Sequence, residues 1–208
     1  MNKQELYKTL NERHTKEYQA KFDNSRVAIA GLGGLGSNIA IFLARVGIGN
    51  IHLIDFDKVD VSNIHRQQYY ISDIGRLKTE VMKERLLQIN PYINIRTTNI
   101  VVTKENMAEI FKDEDIICEA FDKPENKSML VNEFFENFGS EKKLVSGNGM
   151  AGFGDSNEIK TKKITDNFYM CGDFKTDVGV EKTLTAARVA VCAAHEANIV
   201  VRLIIGQE

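Results

Sequence analysis

At 208 residues with 43% hydrophobic side chains, the chain is long enough for one substantial core and short enough that a single domain is expected. A formal net charge of −2, with acids and bases interspersed, excludes the basic excess of a general nucleic-acid or membrane-surface binder. The three cysteines, Cys118, Cys171 and Cys192, lie far apart with no Cys-x-x-Cys pair, which excludes a disulfide framework and argues against a thiolate zinc site.

The opening stretch, "MNKQELYKTLNERHTKEYQAKF", is polar and lacks the apolar core of a signal peptide. Leu6, Leu10 and Tyr18 are spaced loosely for one face, which predicts an N-terminal helix over residues 3–22. A short apolar strand follows at residues 26–30. The run "GLGGLG" interrupts it, and residues 37–46 read as a helix ended by Gly47 and Gly49. Residues 51–54 form a second buried strand. A polar loop then runs from Asp55 to about Ser72.

"LKTEVMKERLLQINP" carries a helical stripe of Leu77, Val81, Leu86 and Ile89, stopped by Pro91. A strand is expected near 93–101 and a helix near 105–112. "DIICEAF" reads as a third buried strand ending at Asp122, then a helix over 125–138 and a strand in "KLVSGNG". "EIKTKKITDNFYM" alternates like exposed strands. A long helix over 184–205 closes the chain; its Arg188, His195, Glu196 and Arg202 mark it as a buried helix and not a membrane span. A cytoplasmic location is expected.

Strands alternating with helices imply a Rossmann-like, doubly wound α/β fold, mainly parallel, with helices on both faces. Ligands in such sheets sit beyond the carboxyl ends of the strands. That rule gathers Gly31–Gly36, Asp55–Asp57, Asp122 and Gly147–Gly149 at one pocket. The expected organisation is a single domain over 1–208. It comprises an N-terminal helix (1–22), a nucleotide-binding core (26–150), and further strands with the closing helix (151–208).

Gly31, Gly33, Gly34 and Gly36 stand in a strand–turn–helix context. There a glycine-rich backbone approaches a nucleotide closely, and the helix N-terminus offers free N–H groups. Asp55 sits where a carboxylate accepts from ribose hydroxyls. Asp57 is placed to face the same way, or to be a solvated loop acid. Asn63 can address a ribose or phosphate, and Arg66 is a planar fork for phosphate oxygens. Lys78 stands just inside a helix start. A nicotinamide dinucleotide would leave Arg66 and Lys78 idle, whereas a triphosphate would use them. Asp122 either holds Mg²⁺ bound to phosphates or caps the helix at 125–138.

"GLGGLGSN", "DFDKVDVSNIHRQ", the "IGRLK" lysine, "INP" and "EAFD" occur in the order and spacing of the ubiquitin-activating-enzyme superfamily. The chain resembles its bacterial ThiF/MoeB adenylyltransferases over most of residues 10–205. With "GMAGFG" and "FYMCGD", it looks like the short clostridial-type ThiF group that lacks the zinc cysteines. The resemblance implies a homodimer that uses ATP and Mg²⁺, without zinc. The implied reaction activates the C-terminal glycine carboxylate of a small ubiquitin-like, ThiS-like sulfur carrier in thiamine thiazole synthesis. It further implies that Asp55 binds the ribose, that Asn63, Arg66 and Lys78 address the phosphates, and that Asp122 holds Mg²⁺. The arginine lent across the dimer would be Arg13, with Arg26 as the second choice. Cys171 falls where the carrier tail would pass, as a sulfur-chemistry residue or a half-buried structural thiol. Cys118 and Cys192 read as core, and His65 as a loop residue. Two other classes stay open: a nicotinamide-dependent oxidoreductase, and a non-catalytic module that holds a nucleotide or carrier.

Overall fold

The computed structural model describes residues 2–207. Seven strands form one sheet in the order β3-β2-β1-β4-β5-β7-β6. They are β1 (Arg26–Ala30), β2 (Asn50–Ile54), β3 (Asn94–Thr98), β4 (Ile116–Glu119), β5 (Lys143–Gly147), β6 (Lys160–Thr165) and β7 (Phe168–Gly172). Every neighbouring pair is parallel except β6 with β7. The strand order reverses direction between β1 and β4, which is the switch point where ligands of open α/β sheets bind.

The helices are α1 (Lys3–His14), α2 (Lys16–Asn24), α3 (Gly34–Val46), α4 (Lys78–Ile89), α5 (Lys104–Ile110), α6 (Pro124–Phe138), the short α7 (Val178–Glu181) and α8 (Ala186–Ile205). Alternate residues of each strand face opposite layers. Val27 and Ile29 of β1, Leu53 of β2 and Val145 of β5 pack under α3, α4 and α8 through Ile39, Leu43, Val81 and Val200. Ala28, Ala30, Ile117 and Leu144 face α5 and α6, against Met107, Phe111, Leu130 and Phe134. Each Val, Leu, Ile, Phe or Met among them contributes about 1.5–3 kcal/mol when sealed from water.

Local signals set the helix ends. Gly47 closes α3 in the left-handed conformation, φ 91°. Pro124 opens α6 at its first turn, where its missing N–H costs nothing. Thr185 caps α8 by accepting from the Arg188 amide.

Four expectations need correction. The segment 3–22 is two helices broken at Thr15, which takes φ 75° and caps α2 through its hydroxyl. The strand "DIICEAF" ends at Glu119, three residues before Asp122, because the Glu119 side chain turns back to accept from the Phe121 amide. Lys123, not Asp122, occupies the N-cap of α6 and makes no side-chain cap bond. The stretch 158–170 is not uniformly exposed: β6 is open to solvent, but β7 lies between β5 and β6 and is largely buried. Among the described residues no helix is long and apolar enough to cross a membrane.

Candidate functional site

The glycine turn leaves β1 at the switch point. Gly31 has φ +95°, and a Cβ there would lie 2.8 Å from the Ala120 carbonyl oxygen beyond β4. A Cβ on Gly36 would collide with the Gly31 carbonyl, so glycine at both positions lets α3 start tight against β1. Gly33 occupies the N-cap of α3 without a side-chain cap, which leaves the first amides of the helix for a ligand. Gly34 lies beneath Arg66, whose Cγ is 3.6 Å from the position a Cβ would take.

Asp55, at the tip of β2, is buried and braces this turn. Its Oδ2 accepts from the Leu32 amide at 2.6 Å and its Oδ1 from the Asp57 amide at 2.8 Å. Burial pushes its carboxyl upward, against the charge of Lys78 and those two N–H donors. Asp57 turns toward α4, where its Oδ2 meets the Lys78 ammonium at 2.8 Å. Lys78 is the first residue of α4 and only 5% exposed.

The loop after β2 carries a short helical turn at Val61–Asn63. Asn63 is bound up in a reciprocal cap with Asp60, its Oδ1 accepting from the Asp60 amide at 3.0 Å. Arg66 donates to the Ser62 carbonyl at 3.1 Å. Half-burial lowers its guanidinium pKa, and the charge of Asp122 opposes this. Asp122 is exposed on the loop between β4 and α6. Among the described residues no group of three or more His, Cys, Asp or Glu is arranged to hold a metal. A hard carboxylate such as Asp122 suits Mg²⁺ that takes its remaining ligands from phosphates and water.

Arg13 and Arg26 lie at the opposite end of the sheet. Arg13 is exposed in the last turn of α1, whose Leu10 packs at Gly47, before β2 begins. Arg26 opens β1 and pairs with Asp115 at 2.9 Å. Neither reaches the glycine turn of its own chain.

The sequence reading missed several residues here. Gln67 is buried beside Gly33, and its Oε1 has no hydrogen-bond partner. Tyr69 is buried and donates to the Leu32 carbonyl at 2.9 Å. Both stand in or just after the quoted "SNIHRQ", and their period-2 spacing is the signal that could have found them. Glu119 and Glu196 are fully buried behind the β4 and β5 tips. Ser146 donates to Glu119 at 2.5 Å, and Lys127 pairs with it at 3.0 Å. Cys171 is buried, its thiol pushed up to about 12 by burial and by Glu196. Cys118 and Cys192 are buried and raised as well. Burial of this kind disfavours the reactive thiolate.

A mainly parallel sheet wound on both faces, with a glycine turn, the acids Asp55, Asp57 and Asp122 and the cations Arg66 and Lys78 beyond its strand ends, defines a Rossmann-like α/β protein. The chain belongs to the ThiF family, whose model matches residues 7–208. It is 38% identical over 133 residues to the adenylyltransferase and sulfurtransferase UBA4 of Eremothecium gossypii, covering 64% of this chain and 29% of that protein. It is 41% identical over 113 residues to the molybdopterin-synthase adenylyltransferase of Haemophilus influenzae, covering 54% of this chain and 46% of that one. Each match thus spans less than half of the relative's length. In shape it is similar to the E. coli tRNA N6-threonylcarbamoyladenosine dehydratase TcdA solved with AMP, with a TM-score of 0.86 and 23% identity over 96% of this chain and 93% of that one. E. coli MccB superposes with a TM-score of 0.71 at 24% identity, over 96% of this chain and 65% of that one.

Proposed function

We propose that this chain is an ATP-dependent adenylyltransferase that activates the C-terminal glycine carboxylate of a small ubiquitin-like, ThiS-like sulfur carrier, in thiamine thiazole synthesis. The observation that carries the reading is the gathering of Arg66, Lys78 and Asp122 around the glycine turn. The names of the two sequence relatives, both adenylyltransferases, point the same way.

In this reading the amides at the start of α3 and the turn of Gly31, Gly33, Gly34 and Gly36 receive the nucleotide. The unused lone pairs of Asp55 accept from the ribose. A carrier carboxylate oxygen attacks the α-phosphorus in line; the bond to the bridging oxygen breaks and pyrophosphate leaves with its electron pair. The attacking carboxylate is already ionised, so no base is needed. No protein nucleophile is needed either, consistent with three buried thiols. The chain's work is positioning and charge neutralisation. Arg66 and Lys78 face the charge that builds on the leaving group, with Asn63 completing the phosphate contacts through its amide. Mg²⁺, held by Asp122 on the phosphates, would supply further neutralisation. Arg13 of a second copy would complete the site across a homodimer. A nicotinamide cofactor would leave the buried Lys78 ammonium without a task.

The experiment is ATP–pyrophosphate exchange with a panel of carriers ending in Gly-Gly. Carrier-dependent exchange supports the reading. A folded protein that binds ATP but exchanges with none of them sinks it.

A further inference from the structure

We propose that Asp57 is a positioning residue that grips Lys78 at both ends and aims its ammonium into the polyphosphate subsite, leaving the ribose to Asp55. The role of Lys78 in this inference rests on the adenylation reading; the grip itself does not.

Lys78 is the more deeply buried member of the pair, with a side chain 6% exposed against 49% for Asp57. An ammonium taken that far from water needs a counter-charge. Asp57 supplies it at 2.8 Å. The same residue also holds the lysine backbone, since the Lys78 amide donates to the Asp57 carbonyl at 3.0 Å. The contact is embedded in a short backbone zipper. The Val59 amide donates to the Arg76 carbonyl and the Gly75 amide to the Val59 carbonyl, both at 2.8 Å. Lys58 bridges Leu77 in antiparallel fashion. The position of Asp57 relative to the start of α4 is therefore fixed by backbone as well as by charge.

The other end of Asp57 is tied to the glycine turn. Its amide donates to Asp55 Oδ1, and Asp55 Oδ2 accepts from the Leu32 amide. One hydrogen-bonded chain thus runs from the turn through Asp55 and Asp57 to Lys78. Asp55 is the second carboxylate in the field of that lysine. A lysine stem has four flexible carbons and many rotamers, so a point charge on it is aimed only if something holds it. The two aspartates divide the work by direction: Asp55 points back to the turn, where ribose sits in this fold, and Asp57 points to α4. A free carboxylate beside a polyphosphate would repel it. Pairing with Lys78 makes Asp57 tolerable there.

The test compares Asp57→Asn and Asp57→Glu with wild type in three readouts. Adenosine and ATP affinities are measured by calorimetry, pyrophosphate exchange at saturating ATP, and acylation of Lys78 in nucleotide-free protein by mass spectrometry. Asp57→Asn is expected to keep both affinities within about threefold and to lose exchange by roughly 100-fold, as a misaimed group does. Its Lys78 should acylate about tenfold faster once the counter-charge is gone. Asp57→Glu should restore part of both. A tenfold or larger loss of adenosine affinity would make Asp57 a ribose ligand and overturn the proposal. Unchanged acylation of Lys78 would overturn it too, with or without lower thermal stability. If the wild-type protein exchanges with no carrier, the adenylation reading alone fails, and the adenosine and acylation arms still judge the grip.

Discussion

Glu119 and Lys127 form an ion pair in which one partner is sealed from water. The Lys127 ammonium lies 3.0 and 3.2 Å from the two carboxylate oxygens of Glu119, which has no solvent exposure. The same carboxylate accepts from the Phe121 amide at 2.7 Å, so the pair fixes the loop that presents Asp122. Removing the lysine strands a buried charge, which costs far more than a surface pair is worth. Lys127→Met should therefore destabilise by about 3 kcal/mol. That corresponds to a drop in Tm of roughly 6–12 °C for a chain of this size. The double variant with Glu119→Gln should recover much of the loss in a denaturation cycle; additive losses would mean the two side chains do not interact.

Asp122 and Lys78 should separate turnover from folding. Asp122 is exposed and caps no helix, so Asp122→Ala should melt like wild type while losing magnesium-dependent exchange. An Asp122 variant that unfolds would restore the capping role that the sequence left open. Lys78→Ala should lose about 2–4 kcal/mol of transition-state stabilisation, read as kcat/KM. Near-normal turnover would remove that lysine from the mechanism.

Gly36 is the most sterically constrained position of the turn. A methyl group there would strike the Gly31 carbonyl backbone, which has no flexible end to yield. Gly36→Ala should push α3 away from β1, costing at least about 2 kcal/mol and weakening ATP binding together with stability. Gly33→Ala meets only the end of Gln67, at 3.9 Å, and should cost little stability. Equal losses in the two variants would contradict this packing.

The parts of the site that could be read from the sequence are those set locally. The glycine spacing, Asp55 at a strand tip and Lys78 at a helix start each follow from turn, strand and helix rules within a few residues. Glu119 and Glu196 could not be read so. Both sit in apolar runs, "DIICEAF" and "AARVAVCAAHEANIVV", and their burial depends on Lys127 and Gly147 arriving from elsewhere in the chain. The helix break at Thr15 carries no glycine or proline. It becomes visible only once Gln19 reaches from α2 to the Gly47 carbonyl and ties that helix to the end of α3. Strand β7 read as exposed because its neighbour β6 is; order in the sheet, not pattern in the sequence, decides its burial.

Arg13 tests the shared site. It lies at the far end of its own chain from the glycine turn, so any contribution to chemistry must come from a second copy. Arg13→Ala and Asp122→Ala should each be inactive alone. Mixed and allowed to exchange subunits, they should regain activity, because one site of each heterodimer then has a wild-type Asp122 and a donated Arg13. A mixture as inactive as its parts would end the idea of donation by this residue. Arg26, already paired with Asp115, would be the next arginine to examine.

Glu196 makes stability depend on pH in a direction opposite to that of most carboxylates. It is fully buried on α8, with one oxygen lacking a hydrogen-bond partner. Burial raises its pKa well above the ordinary 4.5, Lys127 from α6 opposes the rise, and Glu119 from β4 adds to it. Cys192 from the same helix, Cys118 from β4 and Cys171 from β7 complete its titratable surroundings. Below pH 4.5 the folded and unfolded chains both hold the proton. Above it the unfolded chain releases the proton and the folded chain keeps it, so the contribution of this group to stability falls as pH rises toward the folded value. Asp173 acts in the other sense. Burial alone would raise it, but the amides of Thr176 and Lys175, the Thr176 hydroxyl and Arg188 hold it at about 2, so its contribution is lost only as pH falls toward that value. Glu196→Gln removes the titration and keeps the shape. Its stability relative to wild type, from urea denaturation, should grow as pH is raised from about 5 through the neutral range. A difference that stays constant over that range would mean Glu196 is ionised in the fold, with Lys127 serving it instead of Glu119.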